Sequence, residues 1–205
     1  RIEKVLASGL HMIDVSIDAM TPDVYAKIRV NGHLETTNEN VMKLLRAKAR
    51  AEHELDMAIG YIAITSRSLG PESCIRTVDW AIRQRKHIVG VDLADAEDVY
   101  PIHEFARPVL KAKEAGLKLT VHTGENTPAS SVVETIHAVH PDRIGHGIHI
   151  IEDLRAVELV KEQGITLEVN PWSNYLTNSV PTIQEHPLKK LFDLRVRVTI
   201  NSDDP

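Results

Sequence analysis

The chain has 205 residues, 42% of them hydrophobic, and a formal net charge of −5 from 24 Lys+Arg against 29 Asp+Glu. A chain of this length and composition can bury a stable core without disulfides or a structural metal. Its mildly acidic net charge argues against nucleic-acid binding, which needs clustered basic residues. No apolar run approaches the ~20 residues of a membrane span. The start of the sequence does not resemble a secretion signal, so a cytoplasmic location is expected. The one cysteine excludes intrachain disulfides and a Cys-ligated iron–sulfur cluster.

Short apolar runs rich in Ile and Val alternate with longer amphipathic stretches along the chain. Such runs are typical of strands buried on both faces of a parallel sheet. The predicted strands are 12–18, 57–65, 87–93, 117–122, 143–147, 165–170 and 196–201. The predicted helices are 22–28, 38–54, 72–85, 101–115, 129–139, 153–163 and 187–192.

This repeat of strand and helix, without low-complexity linkers, predicts one α/β domain over residues 1–205. The favoured architecture is a (β/α) barrel of the TIM type, incomplete or chimeric, and the length lies at the low end of the roughly 200 to 400 residues of such barrels. An open doubly wound sheet is the competing architecture. No Gly-x-Gly-x-x-Gly turn follows a predicted strand, which weakens its dinucleotide-binding version.

Polar residues follow five of the predicted strands. In a parallel barrel these strand ends meet at one rim, where the reactive residues of such folds lie. The residues are Asp92 with Asp95 and Glu97, His122 with Glu125, His146, Asn170 to Asn174, and Asn201 with Asp203 and Asp204. Their convergence is the strongest sign of a functional site in the sequence.

The residue types suit metal-assisted hydrolysis. His122 and Asp203 offer the imidazole and carboxylate ligands of a zinc-like ion, which lowers the pKa of bound water. Glu125 would be the proton shuttle, His146 would orient or deprotonate the water, and Asp204 would accept a hydrogen bond from the substrate. The alternative is structural: these residues could be buried hydrogen-bonded groups, and the acidic pair at 203–204 could cap a helix.

Other polar residues carry simpler interpretations. Ser173 and Asn174 suit a turn, since Asn-Pro and Ser-Asn favour turns. Cys74 is interpreted as a small buried hydrophobe. The histidines other than His122 and His146, among them His186, are interpreted as surface or core residues.

Four ordered motifs resemble those of the adenosine deaminase family, over about residues 55–205. They are His122-Thr-Gly-Glu125, Arg143-Ile-Gly-His146-Gly147, Asn170-Pro-Trp-Ser-Asn174 and Asn201-Ser-Asp-Asp204-Pro205. The resemblance implies a zinc-bearing (β/α)8 barrel that hydrolyses a 6-aminopurine nucleoside or related compound to the 6-oxopurine and ammonia.

The resemblance also implies roles for single residues. His122 and Asp203 would bind zinc, and Glu125 would protonate the purine ring nitrogen beside the attacked carbon. His146 would position the hydroxide, and Asp204 would contact the imidazole side of the purine. The family usually has Gly where Asp95 stands, and its backbone there contacts substrate, so Asp95 is a candidate determinant of which aminopurine is bound.

The sequence departs from the family's first motif, because it contains no His-x-His pair to supply two further zinc ligands. Roughly residues 1–46 instead resemble a segment of radical-SAM enzymes, through Ser8-Gly-Leu-His-Met-Ile-Asp-Val-Ser-Ile-Asp18, but lack the cluster cysteines. Three hypotheses therefore stay open: a zinc-dependent purine deaminase, an inactive chimera or fragment, and a metal-dependent hydrolase of another amino-heterocycle.

Overall fold

The computed structural model of the chain describes residues 16–17, 43 and 60–203. Within them, seven parallel strands form one sheet whose spatial order follows the chain order. The strands are β1 Ser16–Ile17, β2 Tyr61–Ser66, β3 Ile88–Ala94, β4 Lys118–Thr123, β5 Arg143–His146, β6 Thr166–Val169 and β7 Arg197–Ile200. Each lies within or across one of the predicted apolar runs.

Helices connect the successive strands in the described part of the chain. They are α1 Gly70–Arg83, α2 His103–Glu114, α3 Ala129–Val139, α4 Leu154–Glu162, α5 Pro171–Leu176 and α6 Leu188–Asp193. Single 3-10 turns occupy Arg67–Leu69, Ile148–Glu152 and Ile183–Glu185. The predicted helix 22–28 lies outside the described residues, and of the predicted helix 38–54 the structure describes only Lys43, which is helical.

The strand order decides between the two predicted architectures. Every strand pairs in parallel with the next strand along the chain, whereas the strand order of a doubly wound sheet reverses partway. Sequential parallel strands with intervening helices make a partial α/β barrel of the TIM type.

The turn predicted at Ser173 and Asn174 is wrong, because both residues lie inside α5. Pro171 occupies the first turn of that helix. A proline is favoured there, since its fixed φ suits the helix and its missing N–H would have had no partner within the helix. Asn174 is thereby held by the bond from its own N–H to the carbonyl of Asn170, at 2.9 Å.

The apolar core lies between the sheet and the helices. Leu119 and Val121 of β4 are completely buried in it, beside Phe105 of α2. Because strand side chains alternate between faces, Thr120 and His122 belong to the opposite face of β4. The sheet therefore presents apolar side chains to the helices and polar side chains to the inside of the barrel. No helix in the described ranges has the length and apolar composition needed to cross a bilayer.

Candidate active site

Four of the residues predicted to act together lie at the carboxyl ends of the strands. His122 is in β4, Glu125 follows it, His146 ends β5, and Asp203 follows β7. The Nε2 atom of His146 is 3.5 Å from Oε2 of Glu125 and 3.6 Å from Oδ2 of Asp203. The His146 and His122 rings meet edge to face, with centroids 5.0 Å apart. Asp204 lies outside the described residues.

His122 is held by a carboxylate from the neighbouring strand. Its Nε2 atom lies 3.3 Å from Oδ2 of Asp92, at the inner face of β3. Burial opposes the charged imidazolium, but Asp92, and more weakly Asp203 and Glu125, outweigh it and raise the pKa of His122 to about 9. The carboxylates around this ring thus create a place that favours positive charge.

His146 has the opposite electrostatic environment. Its ring is almost fully buried, and burial together with the positive charge of His122 lowers its pKa to about 4. The imidazole is therefore neutral near pH 7, where it can donate one hydrogen bond and accept another.

A glycine makes room for the His122 ring. Gly145 of β5 lies opposite His122 in the sheet register, and Glu168 of β6 lies beyond it. A Cβ atom built on Gly145 would come within 2.4 Å of Cδ2 and 2.7 Å of Nε2 of His122. Only glycine at this position lets the ring lie across β5.

The Glu125 side chain is fixed through one of its oxygens. Thr177 donates its hydroxyl to Oε1 of Glu125 at 2.8 Å, and the Asn174 amide nitrogen lies 3.4 Å from the same oxygen. Its other oxygen, Oε2, is the one that faces His146. The carboxyl group is thus oriented before any ligand binds.

Comparisons with known proteins identify the family of the chain. The family model described as adenosine deaminase matches residues 1–205. The chain belongs to the adenosine deaminase family. Because the match begins at the first residue, it includes the segment that resembles radical-SAM enzymes, and nothing in the comparisons shows that second resemblance. Most of that segment lies outside the described residues.

Relatives in the family carry two substrate names. The chain is 42% identical over 160 residues to an adenine deaminase of Sinorhizobium medicae (strain WSM419), covering 78% of this chain and 48% of that protein. It is 34% identical over 190 residues to an adenosine deaminase of Erwinia tasmaniensis (strain DSM 17950 / CFBP 7177 / CIP 109463 / NCPPB 4357 / Et1/99), covering 88% and 56%. The chain spans about half the length of the curated relatives it matches.

A solved structure matches along the full length of the chain. The crystal structure of an adenine deaminase from Arthrobacter aurescens matches with a TM-score of 0.81 and 30% identity, covering 100% of this chain and 60% of that one. The partial barrel described above is therefore part of a known family fold.

Asp95 occupies the position where the family resemblance places glycine. Its backbone has φ 78°, in the left-handed region that glycine adopts without strain. Its carboxylate turns to β2 and accepts the Ser66 hydroxyl at 2.5 Å. Partial burial raises the pKa of this carboxyl group, but hydrogen bonds from Ser66 and Ser68 outweigh burial and lower it overall. Asp95 thus keeps the left-handed backbone conformation that glycine favours, and its carboxylate accepts hydrogen bonds from serine hydroxyls.

Three of the six residues other than glycine that have a positive φ in the described part of the chain are at this rim. Asp95, His146 and Asp203 all have φ between 58° and 78°. Such conformations cost about 1–3 kcal/mol each in residues other than glycine, and they persist where the surrounding structure enforces them. Three of them around one site indicate that packing holds these side chains in place.

The residues around His122 include the ligand types that zinc binds, but too few of them for a complete zinc site. His122 and Asp203 offer the imidazole and carboxylate that zinc binds, and Oδ1 of Asp92 is buried without a hydrogen-bond partner in the described structure. Among residues 16–17, 43 and 60–203, however, no three His, Cys, Asp or Glu side chains are grouped closely enough to hold a metal. A complete site would need ligands beyond the described residues.

Glu97 is a site residue that the strand-end pattern placed at the rim without assigning it a role. Its carboxylate accepts the backbone N–H of Gly124 at 2.9 Å and of Glu125 at 3.0 Å, and also the Thr127 hydroxyl. One side chain from the β3–α2 loop therefore fixes the turn that carries Glu125. Its position three residues after the end of β3 was the available signal, but the partners it binds were not visible in the sequence.

Replacing Glu97 by Ala is expected to destabilise the protein by about 1–3 kcal/mol, because two amides and a hydroxyl lose their acceptor. Urea denaturation measures the change. Glu104→Ala, at an exposed position of α2, is the matched control and should leave stability nearly unchanged. Equal stability of the two variants would contradict the anchoring role of Glu97.

Proposed function

We propose that the protein catalyses the hydrolytic deamination of a 6-aminopurine, either adenosine or a related nucleoside or base, to give the 6-oxopurine and ammonia. The observation that carries the proposal is the meeting of Glu125 and Asp203 at the Nε2 atom of His146. Membership of a family whose relatives are named adenine and adenosine deaminases supports the purine substrate.

In this proposal His122 and Asp203 would hold a zinc ion in part, and the remaining ligands would have to come from outside residues 60–203. Bound zinc would supply a Lewis acid that lowers the pKa of water toward neutrality. The carboxylates that raise the pKa of His122 to about 9 would equally stabilise a divalent cation in place of the proton.

Glu125 would deliver the proton to the purine ring nitrogen beside the attacked carbon. Thr177 binds Oε1 of Glu125, so Oε2 is the oxygen available to exchange a proton. Neutral His146 would orient the attacking water by a hydrogen bond, because its ring lies between Glu125 and Asp203. The exocyclic amine would then take the proton of the added hydroxyl group and leave as ammonia, as the C–N bond breaks and the 6-oxo C=O bond forms.

Two further residues are proposed to bind the substrate. Asp95 would present its backbone to the purine, as the glycine of the family does, because its carboxylate is already bound to Ser66. Asp204 would contact the imidazole side of the purine. Residues 1–205 are proposed to form one barrel domain, and a cytoplasmic location stays a prediction from the sequence.

Ammonia release and metal content together test the proposal. We expect ammonia from adenosine or adenine, and zinc bound in a one-to-one ratio by elemental analysis. Removing the zinc with a chelator should also lower the melting temperature, a measurement independent of activity. A zinc-free protein that releases no ammonia from any aminopurine would favour the inactive chimera or fragment. Release from a different amino-heterocycle alone would favour the other hydrolase.

A further inference from the structure

A chain of hydrogen bonds links the start of α6 to His146. The backbone N–H of Leu188 donates to Nδ1 of His186 at 3.0 Å. Nε2 of His186 lies 3.2 Å from Oδ1 of Asn174, whose Nδ2 lies 2.9 Å from Nδ1 of His146. His186 and Asn174 are both buried, Asn174 completely, so water does not compete for these contacts.

The Leu188 amide fixes which atoms donate and which accept along this series of hydrogen bonds. A backbone N–H can only donate, so Nδ1 of His186 accepts. Burial lowers the pKa of His186, which keeps the ring neutral near pH 7. Its single proton therefore lies on Nε2 and is donated to the carbonyl oxygen of Asn174.

The far end of the chain imposes the same direction. With Oδ1 of Asn174 accepting from His186, its NH2 group faces Nδ1 of His146 and, at 3.4 Å, Oε1 of Glu125. A carboxylate oxygen only accepts, so the NH2 group must be the one on that side. Nδ1 of His146 thus accepts a hydrogen bond and carries no proton.

We infer that His186 and Asn174 are positioning residues that hold His146 in the tautomer protonated at Nε2, with that proton aimed at Glu125 and Asp203. The opposite tautomer is penalised at both nitrogens. Its Nδ1–H would face the NH2 group of Asn174, and its Nε2 lone pair would face two carboxylate oxygens. Asn170 cannot select between them, since its Nδ2 is 3.4 Å from both ring nitrogens.

The effect of this tautomer on turnover rests on the proposed function, whereas the tautomer itself does not. Nitrogen-15 NMR of histidine-labelled protein measures the protonation of each ring nitrogen. We expect His146, identified by the signals lost in His146→Gln, to show an unprotonated Nδ1 and a protonated Nε2. A proton on Nδ1 in the unsubstituted protein would overturn the inference.

Asn174→Asp tests this series of hydrogen bonds directly, because a carboxylate at position 174 can only accept a hydrogen bond from Nδ1 of His146. The variant should place a proton on Nδ1 of His146, either on the neutral ring or on the imidazolium that the added carboxylate favours. It should also reduce kcat about 10- to 100-fold while the KM stays within about twofold. Asn178→Asp is the matched control: it adds the same charge four residues away at an exposed position and should change neither the tautomer nor kcat. An unchanged tautomer in Asn174→Asp would overturn the inference.

A second pair of variants covers the case in which Asn174→Asp does not fold. His186→Gln keeps an N–H donor for Asn174 and should preserve the His146 tautomer, whereas His186→Leu removes the donor and should give a mixture. Equal nitrogen-15 spectra of the two His186 variants would contradict the proposed series of hydrogen bonds. If the spectra are as expected but the unsubstituted protein releases no ammonia, the proposed function fails and the positioning role stands.

Discussion

Glu125→Gln is expected to reduce kcat for purine deamination by about 10²–10⁴-fold, the usual contribution of a positioned acid or base. Glutamine has the shape of glutamate but has no exchangeable carboxyl proton to deliver. The Thr177 hydroxyl and the Asn174 amide both bind Oε1, and the glutamine carbonyl oxygen can accept from both. Steady-state ammonia release gives kcat and KM, and we expect KM to change much less than kcat.

The fold and the metal content should survive this substitution. Glu162→Gln, at an exposed position at the end of α4, makes the same chemical change away from the site and should leave turnover unaltered. Zinc content should be equal in both variants, because Glu125 is not proposed as a ligand. Turnover of Glu125→Gln equal to that of the unsubstituted protein would reject Glu125 as the proton shuttle.

The strands and the position of the site could be predicted from the sequence because both depend on short-range patterns. Buried parallel strands require continuous apolar runs, and β4 through β7 lie within or at the edge of such runs. Parallel strands also direct their carboxyl ends to one rim, so the strand pattern alone predicts that His122, His146 and Asp203 lie together.

The hydrogen-bond partners of the site could not be predicted, because they depend on how loops fold back on the rim. Glu97 binds the Gly124 and Glu125 amides from 27 and 28 residues away, and no periodicity records that contact. His186 resembled an ordinary core or surface histidine in the sequence. Its role depends on the orientation of both ring nitrogens, which only packing against α5 and α6 determines.

The left-handed residues at the rim illustrate the same limit. Local preference favours glycine at positive φ, and the sequence has Asp95, His146 and Asp203 there. Tertiary contacts override that preference: Ser66 binds the Asp95 carboxylate, and Asn174 binds the His146 ring. Such conflicts between local preference and fold are expected where a protein positions reactive groups.

Gly145→Ala is expected to displace the His122 ring, because the added Cβ would lie 2.4 Å from Cδ2 and 2.7 Å from Nε2 of that ring. The ring has little room to move, because it also contacts Asp92 and the His146 ring. Crowding of this kind costs about 1–3 kcal/mol of stability. If His122 is a zinc ligand, the same displacement should also lower zinc affinity about 10- to 100-fold, as measured by competition with a chelator.

Gly60→Ala separates this effect from crowding in general. A Cβ on Gly60 would come nearly as close, 2.7 Å, to Cγ2 of Val89, but Val89 is 47% exposed and can move toward solvent. We therefore expect Gly60→Ala to leave zinc affinity and turnover nearly unchanged. A Gly145→Ala variant that is less stable but binds zinc as tightly as the unsubstituted protein would show that zinc binding does not depend on the position of the His122 ring. The assignment of His122 as a zinc ligand would then have to be abandoned.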